Sequence, residues 1–365
     1  MTTNATSSIR KPARLTELVQ QHATSLWPDS QVVFYGYADS PGLDHARFFV
    51  PLEEGERGYG SKFRMPFSWA LDELVAEQVN QGLGDPYAGL LAISAGEVTL
   101  QPLSNEAAKQ LMTEMSAAEA EADLMKEYLD ILSRLPEDTV NLEADQYSGV
   151  FLPYPYPEYW TSELKVMLVG RETAGWNTDN HKNTLSRVIN HNREGNTPSL
   201  VQEAVERYKR HLLDARGNLK TTSRSRFKQY YFKLAKELGI NPKSIIYSNL
   251  FAWDYDKQSP LKRPQAELDI IKSISMELLA AQIKLLSPDV IIFAAGVTGI
   301  HQMIKDFFAN HFDGHESLTV IPRKYWEFKA AGAHCFRIAH PRATRGHQAY
   351  RQQVIDQINR LKQAG

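Results

Sequence analysis

Over residues 151–365, short and nearly continuous apolar runs alternate with stretches of helical spacing. Residues 164–169 (LKVMLV), 245–250 (IIYSNL), 290–295 (VIIFAA) and 335–339 (CFRIA) have the length and content of strands. A helical pattern over 227–238 precedes the second. Another of about twenty residues, ending near Leu286, precedes the third, and a last one carries Val354, Ile358 and Leu361 on one face. This rhythm predicts an α/β fold, with helices covering a parallel sheet on both sides.

The front of the chain reads differently. Residues 1–12 form a loose tail and 13–26 an amphipathic helix. Strands follow at 32–37 and 47–50, then a hairpin over 87–100 turning at Ser94, Ala95 and Gly96. A small α+β module is therefore expected over 1–103. Ser104 is placed to cap a long helix over 105–134. That helix opens a connector over 104–150, and the proline-aromatic turn PYPYP at 153–157 leads into a domain over 151–365.

Of the 365 residues, 42% are hydrophobic and 23% charged, an ordinary composition for a protein with sizeable cores. No apolar run is long enough to cross a membrane, and the N-terminus lacks the apolar stretch of a secretory signal. Cys335 is the single cysteine, which excludes intrachain disulfides, a four-thiolate zinc site and a multi-thiolate iron–sulfur cluster. A cytoplasmic protein without metal or cofactor is expected. The net charge of −2 conceals an uneven distribution. Residues 1–150 hold 10 Lys+Arg against 23 Asp+Glu, a balance of −13, whereas 151–365 hold 31 against 20, a balance of +11. A basic second half suggests a polyanionic partner such as nucleic acid, although every charge could simply be solvated.

In open parallel sheets, ligands bind beyond the carboxyl ends of the strands. The four predicted strands run into GRETAGWN (170–177), SNLF (248–251), AGVTG (295–299) and HPRATRG (340–346). No phosphate loop, G-x-G-x-x-G, HExxH or G-x-S-x-G motif is present. Taken in order, these loops resemble those of the uracil-DNA glycosylase superfamily: a Gly-x-(Asp/Asn)-Pro loop, an Asn ending a middle strand, and a final His-Pro-Ser type loop. The resemblance covers roughly residues 150–362. It implies a three-layer α/β/α sandwich with a central parallel sheet, and a monofunctional DNA N-glycosylase that flips a pyrimidine and hydrolyses its glycosidic bond. Thr173 stands where that family has Pro, Glu172 is longer than its Asp or Asn, and Arg342 replaces its Ser.

The resemblance gives the loop residues roles. Glu172 stabilises the sugar cation and orients water, and His340 donates to the departing base anion. Asn249 reads the pairing edge, and Trp176 or Phe251 stacks on the base. Ala174 leaves room for a 5-substituent where a Tyr wall would stand, so a modified pyrimidine, as in hypermodified phage DNA, is the expected substrate. Arg342, Arg345, Arg224, Arg226, Lys228 and Ser248 are expected to meet DNA, with cations, hydroxyls and aromatics interleaved over 221–231. Each residue also has a plainer reading. Glu172 could cap a helix, Asn249 turn a strand end, His340 sit in an ordinary loop, and the aromatics fill a core. A catalytically silent nucleic-acid-binding protein and a nucleoside hydrolase remain as alternatives.

Overall fold

Alternation of side chains along the strands decides how the two sheets of this chain are covered. The computed structural model describes residues 12–22, 30–37, 42–49, 61–80, 87–136, 145–176, 184–343 and 345–364. The chain divides into two compact units, residues 1–118 and 119–365. The division falls inside a helix, within the stretch expected as a connector.

The first unit holds α1 (Ala13–His22), β1 (Ser30–Gly36), β2 (Leu43–Phe49), α2 (Ser61–Asn80), β3 (Ala88–Ser94), β4 (Glu97–Leu103) and the start of α3 (Asn105–Ser133). Its antiparallel sheet has the order β2-β1-β3-β4. Val32 and Phe34 on β1 pack with Leu15, Phe67 and Leu71 of α1 and α2, while Val33 joins Ala108 and Met112 of α3. The α+β expectation holds for this unit, with Ser104 Oγ accepting the Ala107 amide at 3.2 Å to start α3. Residues 1–11 of the tail and residues 23–26 lie outside the described residues. The pattern did not predict α2. Pro66 reads as a breaker, and exposed Met65 and Trp69 blur the apolar stripe formed by Phe67, Ala70, Leu71 and Val75.

The second unit continues with α4 (Pro157–Trp160), β5 (Val166–Gly170), α5 (Leu185–Arg193), α6 (Thr197–Arg210), α7 (Arg226–Leu238), β6 (Ile245–Asn249), α8 (Gln265–Leu286), β7 (Val290–Phe293), α9 (Ile300–His311), β8 (Glu316–Ile321), β9 (Tyr325–Ala330), β10 (Ala333–Ile338) and α10 (Gln348–Ala364). The sheet order is β6-β5-β7-β10-β9-β8. β6, β5, β7 and β10 are parallel, and β9 and β8 extend them antiparallel. The sheet is thus mostly rather than wholly parallel. Sequence periodicity missed β8 and β9. β9 joins β10 through a two-residue turn at Ala331 and Gly332, both with positive φ, so the pair reads as one segment.

Val166, Leu168, Ile245, Ile292, Phe336 and Ile338 pack on the face shared with α7 and α10. Their neighbours Met167, Val169, Ile246, Ile291, Phe293 and Cys335 pack with α8 and α9 on the other. Strand order reverses between β5 and β7, which are neighbours although β6 intervenes in sequence. A crevice at the carboxyl ends of the strands is favoured at such a point. Among the described residues, no helix is long and apolar enough to cross a membrane.

Candidate functional site

The loops after β5 and β6 are zipped together. Gly170 and Asn249 are register partners at the strand ends. Beyond them the Leu250 amide donates to the Gly170 carbonyl and the Phe251 amide to that of Arg171. The glycine is dictated by this approach: a Cβ at 170 would collide with Oδ1 of Asn249 and come within 3.3 Å of the Phe227 ring.

Asp254, fully buried, fastens the rest of the first loop. Its Oδ2 accepts from Thr173 Oγ1 at 2.5 Å and from the Gly175 and Trp176 amides at 2.9 and 3.4 Å. Its Oδ1 accepts the Lys257 amide at 3.0 Å. Thr173 therefore ties the first loop to a buried carboxylate through its hydroxyl.

Rings close around this point. Phe151 meets Trp176, Tyr247 and Tyr208 with centroids 4.8, 5.0 and 5.6 Å away. Phe227 lies 4.8 Å from Tyr247 and 6.1 Å from His340. His211, just past α6, is 4.5 Å from Tyr208 and 6.3 Å from Trp176, and the Arg207 guanidinium sits 5.4 Å from the Trp176 centroid.

Several polar atoms inside this cage have no hydrogen-bond partner although solvent cannot reach them: both amide atoms of Asn249, the Trp176 indole nitrogen, His211 Nε2 and Arg207 Nε. Buried polar groups are almost always paired, so such a concentration calls for an explanation. Burial pushes the Tyr247 phenol up to about 12; the Asn249 amide lies near enough to oppose that, and the carboxylates of Glu172 and Asp254 reinforce it. Burial also pushes His211 down to about 4, against the bond to the Tyr208 carbonyl and with help from Lys228. In the neutral ring, Nδ1 donates to that carbonyl at 2.5 Å, which leaves Nε2 as an acceptor.

His340 follows β10, and its Nδ1 accepts the Arg342 amide at 3.1 Å. Burial, then the charges of Arg342, Arg171 and Arg351, push its pKa down to about 4. A neutral ring with Nδ1 accepting carries its proton on Nε2 and is a hydrogen-bond donor there. Glu172, with its side chain 12% exposed, is gripped by Arg171: Nε lies 2.6 Å from Oε2 and Nη2 3.0 Å from Oε1.

The structure thus gathers Glu172, Asn249, His340 and Trp176 at one rim, with Ala174 exposed in the same loop. Two expected residues turn away. Phe251 is fully buried in the core on the opposite face, because the β6 alternation breaks after Asn249 and Leu250 and Phe251 both enter that core. Ser248 Oγ donates to Gln282 Oε1 at 2.5 Å in the same interior, so it meets no ligand at the rim. Arg342, Arg345 and Arg224 are exposed, and Arg226 is exposed but donates to Gln229. Lys228 is half-buried and donates to the His211 carbonyl at 3.1 Å, which braces the end of α6. His211, Asp254, Phe151 and Tyr247 were not singled out from sequence. His211 directly follows the Arg207–Arg210 basic run, whose charge masked its apolar face.

A separate groove of about 560 Å³, lined by Glu163, Asp289, Lys329, His334 and Lys362, lies at the amino ends of β5, β7 and β10. It is on the wrong rim for the loops above. Among the described residues, no group of His, Cys, Asp and Glu is arranged to hold a metal ion.

No protein-family model matches the chain, and no curated protein matches it.

Proposed function

We propose that the second unit is a uracil-DNA-glycosylase-like domain acting as a monofunctional DNA N-glycosylase on a flipped, 5-substituted pyrimidine. The carrying observation is the set of unpaired polar atoms of Asn249, Trp176, His211 and Arg207 within a cage of rings. A flat heterocycle with donors and acceptors on its edge satisfies both halves of that environment, by stacking and by hydrogen bonding.

In this reading Asn249 and the His211 acceptor bond the base edge. The neutral His340 donates through Nε2 to the carbonyl that gains charge as the bond breaks. Glu172 faces the sugar and orients water, and the two-pronged Arg171 contact holds its carboxylate in place. Lys257 packs its stem on Gly175, and with Glu172 set to orient water this reading assigns the attack to water rather than to an amine. Exposed Ala174 leaves the 5-position open.

The Arg171–Glu172 pair favours a second reading, a silent nucleic-acid-binding protein whose carboxylate is engaged structurally. Base release from oligonucleotides bearing uracil, a thymine mispair, 5-hydroxymethylcytosine or glucosylated 5-hydroxymethylcytosine separates the two. The glycosylase reading expects release from a 5-substituted base and its loss in Glu172→Gln; DNA binding without release from any of them supports the second.

A further inference from the structure

Arg337 occupies a position built for an apolar side chain. On β10 it stands opposite Phe293 of β7 and Trp326 of β9, in the middle of the sheet. Its neighbours Phe336 and Ile338 face α7 and α10, so Arg337 faces α9. It is 2% exposed, and its Nε and Nη1 have no hydrogen-bond partner. No ion pair to it occurs among the described residues. The nearest buried carboxylate along β9, Glu327, alternates to the other face and bonds Tyr325 and His334. A guanidinium withdrawn from water without a counter-charge is strongly disfavoured unless an anion meets it.

The groups about the neighbouring Trp326 indole are also cationic or donating. His301, in the first turn of α9, stacks edge-on to Trp326 at 4.5 Å, and its Nδ1 likewise has no partner. His315 lies 5.2 Å from the same indole and the Lys305 ammonium 5.9 Å from its centroid. Burial, then the charges of Arg337, Lys305 and His315, lower the pKa of His301, as expected where like charges converge. The twelve-residue α9 starts at Gly299 with no side-chain cap, so its first amides are unclaimed by a capping side chain. Cβ atoms added at Gly296 or Gly299 would meet nothing within 4 Å, which leaves that end open to approach.

We propose that Arg337, His301, Lys305 and the amino end of α9 form an oxyanion site that takes a phosphate group, on the sheet face opposite the ring cage. A forked guanidinium beside one indole, with an ammonium and the first turn of a helix packed about the same ring, suits a tetrahedral dianion or a phosphodiester better than a single carboxylate. The site stands independently of the glycosylase reading, because it uses none of the same side chains and is tested by binding alone.

The test uses the full chain with three ligands: inorganic phosphate, a single-stranded oligonucleotide without terminal phosphates, and chloride at matched ionic strength. Binding is read by calorimetry and by thermal shift. The site predicts saturable stabilisation by phosphate or tight binding of the oligonucleotide, beyond the chloride effect. Arg337→Met, which suits the apolar row, should weaken that binding at least tenfold while melting no lower than the parent in chloride. Should Arg337→Met fail to fold, the more peripheral His301→Gln and Lys305→Ala replace it, with each expected to weaken binding severalfold. Competition separates the sources. A free-phosphate site binds inorganic phosphate and gives it up to no oligonucleotide, whereas a phosphodiester site binds the oligonucleotide and loses about one unit of salt slope in the variants. Equal binding of phosphate and oligonucleotide by parent and variants, or no effect beyond chloride, overturns the proposal.

Discussion

Asn249 and Gly170 face each other across the ends of β6 and β5 so closely that the side chain of one occupies the space where the other would carry a Cβ. Gly170→Ala should therefore displace the amide, lowering stability by about 1–3 kcal/mol through overpacking and reducing base release together with it. Asn249→Leu separates the two effects. It keeps the shape and removes two unpaired buried atoms, so urea denaturation should show unchanged or higher stability, by about 1 kcal/mol, while base release falls at least a hundredfold. A core-only role for Asn249 predicts no such divergence.

Asp254 serves the loop and not the base. Asp254→Ala strands the Thr173 hydroxyl and the Gly175 and Trp176 amides, and should cost about 2–5 kcal/mol. Asp254→Asn, milder, should raise KM more than it lowers kcat, since Trp176 is misplaced but His340 is not. Denaturation and steady-state kinetics on the same preparations check both.

Acid should unfold this domain early. His211 and His340 are held near 4 in the folded chain against an ordinary value near 6.5. Between those values the unfolded chain binds more protons, so stability is fully present above about pH 6.5 and drains away as pH falls toward about 4. Urea midpoints across that range should fall, and His211→Phe should flatten part of the slope. Base release should stay level from about pH 8 to 6, because His340 works as a neutral donor; a fall centred near 6.5 would show that the ring titrates normally.

Ala174→Tyr rebuilds a wall in the first loop. If the 5-position lies over Ala174, the variant should lose release of glucosylated or hydroxymethylated bases by ten- to a hundredfold, roughly the effect of closing a pocket on one small group, and lose little on uracil. A uniform loss across all bases would place the 5-position elsewhere.

Much of the second unit was legible because its strands are short, apolar and separated by helices with one buried face. The same periodicity located the rim carrying Glu172, Asn249 and His340, since each follows a strand end. What sequence hid was contact between distant segments. Phe251 looked available for stacking because nothing local reveals that the alternation ends at Asn249 and that Leu250 and Phe251 both turn into the core. Ser248 is hidden for the same reason by its bond to Gln282, on α8. His211 and Asp254 gain their meaning from Trp176 and Thr173, partners thirty-five and eighty-one positions away in the chain. β8 escaped because its residues are almost all exposed and carry no apolar alternation, and β9 because the Ala331–Gly332 turn into β10 needs little sequence signal.

The most direct test is a single-turnover base-release assay on a duplex and its single strand, each with one 5-substituted pyrimidine, comparing the parent with Glu172→Gln and Asn249→Leu. The account predicts an abasic product from the parent and a drop of about 10²–10⁴-fold in Glu172→Gln, with DNA affinity retained. An inactive parent on every base, or release undiminished in both variants, contradicts it.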